Sequence, residues 1–384
     1  MSDATSRTLL PEGLRDVLPP DAGFESAVVD QLKKSFGANG YALVKPPLVE
    51  FEETLLAGMG AALSHRIFRM LDPVAHRTLG VRADMTTQIA RIAATRLAGA
   101  PRPLRLMYAG QVLRVKGTQL EPERQFSQAG FELIGAEAGA ADAEAILVVA
   151  EALQALGVEG VSIDLSLPTL VPAILAANPA THPERLRAAL DHKDVAEIKV
   201  AGGAAGSLLT ALVEASGPFS DAQKRIAKLT LPAAAKAAWQ ALAQVAEAVQ
   251  AAAPTLALTF DAVENRGFEY HTGITFSVFA RGSQRELGRG GRYALAQGNN
   301  GGEPATGATL LVDALLAVVP RPAATWTLFA PFGTPRSVVA SWQVKGWRVV
   351  AGLAKVGDDT AEAQRLGCSH LIVGEAAKEI SAKK

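Results

Sequence analysis

Two strand-like segments around a short loop constrain the fold of this chain more than any other feature. They are apolar-rich runs between Met107 and Gly135, on either side of a loop at 115–124 that contains Pro122. Such runs on either side of turn-forming residues predict a strand, a loop and a second strand. Glu132 lies in the second strand, where it is either a satisfied buried carboxylate or part of a binding site.

The composition predicts a globular chain of two or three domains. The chain has 384 residues, of which 49% are hydrophobic and 20% are charged, so it can bury substantial cores. Lys and Arg together number 38, as do Asp and Glu. A net charge of zero gives no electrostatic sign of a nucleic-acid partner.

The single cysteine and the polar N-terminus predict a soluble cytoplasmic protein. Cys368 is alone, which excludes an internal disulfide and fits a reducing compartment. The first eight residues have no apolar signal core, and no apolar run reaches membrane-spanning length. We therefore expect no membrane association.

Apolar periodicity and proline positions predict the elements of the first 320 residues. A proline-rich segment at 9–20 precedes the first helix, Gly37 sits where a C-terminal stop signal of that helix is expected, and Pro46-Pro47 interrupt a short strand. Alanine dominates from 165 to 255, which predicts helices packed around the sheet or an inserted subdomain. We predict helices at 22–38, 86–97, 140–156 and 308–319, strands at 41–44, 257–260 and 274–279, and a glycine-rich segment at 288–302.

Pro320 and Pro322 predict a linker between residues 1–320 and a small unit at 325–384. The small unit has strand-like runs at 327–329, 348–350 and 371–373 with helix-like stretches between them. This alternation predicts a small α/β unit with parallel strands.

Several familiar chemistries are absent from the sequence. The run from Gly288 to Tyr293 lacks the Gly-Lys-Ser/Thr ending of a phosphate loop, and a plain glycine turn is the simpler interpretation. The six histidines show no metal-ligand spacing, and no Gly-x-Ser-x-Gly occurs. We expect no metal site, no cofactor and no catalytic residues.

Four blocks together resemble class II aminoacyl-tRNA synthetases, and most of all histidyl-tRNA synthetase. Arg-Ala-Asp-Met-Thr-Thr at 82–87 is similar to the family's ammonium-binding segment, and residues 107–135 are similar to its second motif. Residues 264–272 resemble the histidine-specific loop, and residues 290–293 resemble the Gly-Gly-Arg-Tyr strand. The blocks follow the family's order across about residues 9–319. The resemblance implies an α+β fold, in which a mostly antiparallel sheet is flanked by helices.

The resemblance implies a pocket for L-histidine. Asp84, Thr86 and Gln128 can accept from the ligand's ammonium, and Arg266 can hold its carboxylate in a planar fork. A neutral imidazole needs a partner for each ring nitrogen, and Glu132 and His271 are implied, with His271 replacing a family tyrosine. The histidine-binding residues implied by the resemblance are Asp84, Thr86, Gln128, Glu132, Arg266, Tyr270, His271 and Tyr293.

Each of these residues also has a purely structural interpretation. Asp84 could cap the helix predicted at 86–97, and Arg266 could be an ion-pair partner. Tyr270, His271 and Tyr293 could be core residues with tethered polar tips.

The ATP-binding part of the family's site has lost cations. Arg114 matches the arginine of the first strand and could retain a phosphate contact, but Pro122 and Ala314 stand where the family has two further arginines. Lys116 replaces a glutamate. Adenylate formation needs cations where negative charge develops, so we expect no adenylation activity.

This combination resembles the ATP phosphoribosyltransferase regulatory subunits, which are synthetase-like proteins of histidine biosynthesis. The resemblance implies a non-catalytic subunit that activates a short-form catalytic subunit and mediates feedback inhibition by histidine. It implies a homodimer within a hetero-oligomer and no tRNA binding. The unit at 325–384, which resembles the synthetase's anticodon-binding domain, is also short. A histidyl-tRNA synthetase and a freestanding histidine sensor remain alternatives.

Overall fold

The computed structural model describes residues 9–117, 122–137, 139–264, 270–295, 302–322 and 326–380. The chain divides into two compact units, Met1–Pro320 and Arg321–Lys384. Each unit has its own sheet and its own apolar clusters. That the two are independent domains remains the prediction made from Pro320 and Pro322.

A nine-stranded sheet organises the first unit. Its strands lie in the order β1-β5-β6-β12-β11-β10-β7-β9-β8, and all neighbours are antiparallel except β1 with β5 and β7 with β9. A mostly antiparallel sheet was predicted. The strands are β1 (Ala42–Leu43), β5 (Leu104–Leu113), β6 (Gln125–Ile134), β7 (Val161–Ser166), β8 (Gly217–Pro218), β9 (Ala257–Asp261), β10 (His271–Ala280), β11 (Gly288–Leu295) and β12 (Glu303–Leu311).

A separate small sheet follows the Pro46-Pro47 segment. Its strands β2 (Val49–Phe51), β3 (Phe68–Leu71) and β4 (Thr78–Val81) are antiparallel in the order β2-β4-β3.

Helices of the first unit cover the large sheet. Helices α1 and α4 pack on each other and on the sheet, and α10 packs on α4 and α5. The helices predicted for the alanine-rich region share one apolar cluster with α1 and α4. The helices are α1 (Asp21–Ala38), α2 (Glu52–Leu55), α3 (Thr86–Ala94), α4 (Gly139–Ala155), α5 (Leu170–Ala177), α6 (Pro183–His192), α7 (Val195–Ala201), α8 (Gly206–Ala215), α9 (Phe219–Ile226), α10 (Ala233–Ala252) and α11 (Val312–Leu315).

Helix α1 shows how sequence spacing becomes packing. Phe24, Val28, Leu32 and Phe36 recur every four residues and are all buried, as one face of a helix requires. The helix includes Gly37 and ends at Ala38, which is the end of the predicted range 22–38. The chain turns at Gly40, where a φ of +83° favours glycine.

Two predictions near the sheet's centre are wrong. Residues 308–311, predicted as the start of a long helix, belong to β12, and only the short helix α11 follows. Residues 288–295 form β11, so the interpretation as a glycine turn is wrong and the strand that the resemblance implies at 290–293 is confirmed. Two smaller corrections are that α3 ends at Ala94 instead of 97 and that β1 is shorter than the predicted strand at 41–44.

The second unit is a four-stranded sheet in the order β14-β13-β15-β16. The predicted parallel pairing of its first three strands is confirmed, while β16 adds an antiparallel edge strand that was not predicted. The elements are β13 (Thr327–Ala330), α12 (Arg336–Val344), β14 (Arg348–Ala351), α13 (Asp359–Arg365), β15 (His370–Val373) and β16 (Ala376–Glu379). Across both units, no described helix is long and apolar enough to cross a membrane.

Candidate functional site

The candidate site lies on one face of the central sheet. Alternate residues of a strand point to the same face, so Gln128, Gly130 and Glu132 of β6 share one side. That side also carries Tyr108 of β5 and Tyr293 of β11. Both tyrosines belong to an apolar cluster with Met85, which precedes helix α3, and Ile89, which lies in that helix. The site is therefore a polar group set inside an apolar layer.

Glu132 is the centre of this polar group. Its side chain is buried, with 1% of the residue exposed. Tyr293 Oη donates to Glu132 Oε2 at 2.8 Å, and Tyr108 Oη donates to Glu132 Oε1 at 3.2 Å. Each carboxylate oxygen has a second lone pair, so Glu132 can accept from a further donor.

The three residues expected at the ligand's ammonium are brought together. Asp84 Oδ1 accepts from the backbone N–H of Thr86 at 2.8 Å, and Asp84 Oδ2 accepts from Gln128 Nε2 at 3.1 Å. Asp84 therefore accepts from the first residue of α3, but the N-cap of that helix is Met85, so the interpretation of Asp84 as the N-cap is wrong. Gln128 Oε1 is buried and has no hydrogen-bond partner among the described residues, so it offers an acceptor to a ligand.

Two residues of the network were missed by the sequence analysis. Tyr108 is fully buried, and its Oη lies 3.1 Å from Thr86 Oγ1 and 2.7 Å from Thr309 Oγ1. Tyr108 therefore connects Thr86 to Glu132. A tyrosine within the strand next to the second-motif loop was the available signal for Tyr108, but Thr309 gave none.

The aromatic residues of the predicted pocket pack on one another next to Tyr293, which bonds Glu132. His271 at the start of β10 is the register partner of Tyr293. Its ring stacks on Tyr270 with centroids 4.1 Å apart, and Tyr270 meets Tyr293 edge-on at 6.1 Å. Arg266, the residue expected at the ligand's carboxylate, lies outside the described residues, and its role stays a prediction.

Burial controls the electrostatics of this site. Desolvation raises the pKa of Glu132 to about 8, although hydrogen bonds from Tyr293, Thr86 and Tyr108 favour the charged form. Burial also raises the pKa of Tyr108 and of Tyr293, so both remain donors. A buried carboxyl with a raised pKa gains stability from a cationic or N–H donor ligand.

The raised pKa of Glu132 predicts a pH-dependent stability. Between the ordinary value of 4.5 and about 8 the folded chain keeps a proton that the unfolded chain has lost. The free energy of unfolding should therefore fall as the pH rises through this range, by at most about 1.4 kcal/mol per pH unit, and level off above it. Urea denaturation at about pH 6 and about pH 8.5 measures this, and Glu132→Gln should remove the difference.

Gly307 leaves room for the Glu132 carboxylate. A Cβ at Gly307 would lie 2.0 Å from Glu132 Oε2 and 2.4 Å from the backbone oxygen of Phe131. We expect Gly307→Ala to displace Glu132, to cost about 1–3 kcal/mol of stability and to weaken ligand binding at least about tenfold. Calorimetry and urea denaturation test this, with Gly99→Ala as the control because a Cβ there meets no atom within 4 Å.

Ala314 and Pro122, which stand where the family has arginines, lie in different surroundings. Ala314 is 2% exposed and belongs to the large apolar cluster. Pro122 lies in the predicted loop at 115–124. Arg114 lies over the ring of Phe126, with its guanidinium carbon 4.5 Å from the ring centroid. Asp313, beside Ala314, bonds the backbone N–H of Ser127 at 3.2 Å and pairs with Arg15 at 3.1 Å.

Among the described residues, no group of His, Cys, Asp or Glu is placed to hold a metal ion. The described site is thus a set of hydrogen-bonding groups that can bind a small polar molecule.

Comparison with protein families places the chain among synthetase-like proteins. The family model described as histidyl-tRNA synthetase matches residues 13–315, which covers the whole candidate site. A solved structure described as an ATP phosphoribosyltransferase regulatory subunit/histidyl-tRNA synthetase from Bacillus halodurans is similar with a TM-score of 0.79 at 25% identity. The similarity covers 93% of this chain and 96% of that chain, and it supports the predicted class II synthetase-like fold.

Two curated relatives are more similar in sequence. The ATP phosphoribosyltransferase regulatory subunit of Paramagnetospirillum magneticum is 56% identical over 96% of this chain and 97% of its own length. The protein of the same name from Rhodospirillum centenum is 51% identical over 98% of this chain and 97% of its own length.

Proposed function

The chain belongs to the family of ATP phosphoribosyltransferase regulatory subunits, and on that basis we propose how it regulates the first step of histidine biosynthesis. It acts as a non-catalytic subunit that activates a short-form catalytic subunit and mediates feedback inhibition by L-histidine. The observation that carries this proposal is a buried polar site beside positions that have no cation for adenylation.

The site chemistry supports L-histidine as the ligand. The carboxylate of Glu132 accepts from one imidazole nitrogen, and His271 serves the other ring nitrogen. The ligand's ammonium lies among Asp84, Thr86 and Gln128, where Gln128 Oε1, which has no hydrogen-bond partner in the described part of the chain, supplies an acceptor. Tyr270 and Tyr293 enclose the ring, and Arg266 holds the ligand's carboxylate.

The nucleotide side of the site supports the absence of catalysis. Ala314 is enclosed in apolar surroundings and Pro122 has no charge, so neither position stabilises charge on phosphate. Arg114 packs on Phe126 and is the remaining residue for a weak phosphate contact.

The proposal includes an assembly. The chain forms a homodimer through the region near Pro46-Pro47, and two-fold symmetry then favours equal numbers of both subunits in the complex. It binds no tRNA, which its zero net charge supports. Its single cysteine supports a cytoplasmic location.

Function should require a hetero-oligomer. Since a ligand changes a reaction only by binding two states of the catalytic assembly differently, histidine must act through an interface with a second chain. Size measurement by light scattering should show the two subunits eluting together. Separate elution, with and without histidine, would contradict the assignment.

A further inference from the structure

Arg82 is a buried cation beside the candidate site, and no role given so far uses it. It lies between β4 and α3, just before Asp84, and is 7% exposed. Its Nε donates to the backbone oxygen of Gln111 at 2.8 Å, and its Nη1 donates to the backbone oxygen of Pro46 at 3.0 Å. Because the guanidinium is planar and rigid, these two bonds also fix the direction of its third nitrogen, Nη2.

The Nη2 atom of Arg82 lies on the same sheet face as the candidate site. A Cβ built on Gly110 of β5 would lie 2.5 Å from this Nη2 and 3.4 Å from Met85 Sδ. Alternate residues of a strand point to the same face, so a side chain at position 110 would share the face of Tyr108. Glycine at this position therefore leaves the space that the guanidinium occupies.

The register of the sheet places Nη2 at the ammonium end of the site. Gly110 is the register partner of Gln128, whose side chain bonds Asp84, while Glu132 lies further along β6. In an amino acid the carboxylate and the ammonium are bonded to the same carbon. A ligand that reaches from Glu132 to Gln128 with its ammonium at Gln128 therefore brings its carboxylate next to Arg82.

Arg82 has no anionic partner in the described part of the chain. Within those ranges no carboxylate forms an ion pair with its guanidinium, and no acceptor bonds its Nη2. Burial lowers the pKa of Arg82, and Glu50, which opposes this shift through space, is itself paired with Arg91 at 2.5 Å. A buried cation without a counter-charge is costly, and an anionic group of a ligand would offset that cost.

We propose that Arg82 Nη2 donates to the α-carboxylate of the bound L-histidine, so that the site requires an amino acid with a free carboxylate. This inference rests on the proposed function, which supplies the ligand, and it adds a second cation to Arg266. A bond between a guanidinium and a carboxylate is stronger than one between neutral groups. A site built for such a bond rejects an analogue that lacks the carboxylate, because the buried donor then stays unpaired.

The test compares L-histidine with L-histidinol by calorimetry on the assembled complex. L-Histidinol keeps the imidazole and the ammonium, but a hydroxymethyl group replaces the carboxylate. The wild type should bind L-histidine at least about tenfold more tightly than L-histidinol. Arg82→Gln should weaken the binding of L-histidine at least about tenfold and leave that of L-histidinol close to the wild-type value.

A second variant moves the guanidinium without removing its charge. Gly110→Ala places a methyl group where Nη2 lies, in space that the guanidinium already fills, so it should weaken L-histidine binding as selectively as Arg82→Gln does. It decides the question alone if Arg82→Gln does not fold. Arg91→Gln is the matched control, because it removes an arginine of α3 that pairs with Glu50. Both of its affinities should equal those of the wild type.

Three outcomes would overturn the inference. If Arg82→Gln and Gly110→Ala bind L-histidine like the wild type, or weaken both ligands equally, Arg82 only holds the backbone at Gln111 and Pro46. If the wild type binds both ligands equally well, the carboxylate is not recognised, while histidine binding itself stands. If the wild type binds neither ligand, the proposed function fails together with this inference.

Discussion

Histidine-dependent exchange of pyrophosphate into ATP is expected to be absent when this chain is assayed alone. The family's chemistry moves negative charge onto phosphate, and Pro122 and Ala314 stand where two arginines would stabilise it. Each such loss costs about 2.7–4 kcal/mol of barrier, so two together predict at least several thousandfold lower rates. Isotope exchange with a histidyl-tRNA synthetase as the positive control measures this difference.

The same preparation must be shown to bind histidine, since an unfolded sample would also be inactive. We do not expect an arginine substituted at position 314 to restore the exchange activity. Ala314 is enclosed in the apolar cluster, and an arginine there would bury a charge without a partner. Exchange at rates typical of a synthetase would contradict the regulatory assignment.

Replacing Glu132 by Ala is expected to weaken histidine binding by about 1.5–3 kcal/mol, or roughly ten- to 150-fold. The reason is that the imidazole N–H then enters a buried site with no carboxylate to accept it. Arg266→Ala should weaken binding on a similar scale, because the ligand's carboxylate loses its cation. Calorimetry on the assembled complex measures both affinities.

The calorimetric experiment also reports on protonation. With a pKa of about 8, Glu132 is mostly protonated at neutral pH and should release a proton when it accepts from the ligand, so the binding enthalpy should vary with the buffer's ionisation enthalpy. Glu159→Ala, which removes an exposed carboxylate in the turn after α4, is the control and should keep both the affinity and the proton release. If Glu132→Ala and Arg266→Ala both bind histidine like the wild type, the ligand lies elsewhere.

The sequence predicted local elements well where the apolar period was clear. Helix α1 follows from its apolar spacing, and the strands β5 and β6 follow from the resemblance of residues 107–135 to the second motif. Residues 308–311 were misassigned because a short run of small and apolar residues fits a helix or a strand equally. These residues form a strand because they belong to β12, which pairs with β6 on one side and with β11 on the other.

The glycine-rich run shows the same limit. Gly290 pairs with Ala308 across the two strands, and a Cβ on Gly290 would lie 2.3 Å from the backbone oxygen of Gly307. Glycine is needed for close approach of strands, which a sequence does not distinguish from a turn.

The site was predicted in part. Asp84, Thr86, Gln128, Glu132 and Tyr293 were selected from motifs and lie in one hydrogen-bonded network. Thr309 was not, since its contact with Tyr108 joins positions 201 residues apart. Only the register of β12 beside β6 brings Thr309 to the site.

The most direct test of the central claim is the rate of the short-form catalytic subunit, measured with and without this chain and with and without L-histidine. The account predicts that adding the chain raises the rate and that histidine then lowers it, while Glu132→Ala keeps the activation and loses the inhibition. A rate that is unchanged by the chain, in the presence or absence of histidine, would contradict the account.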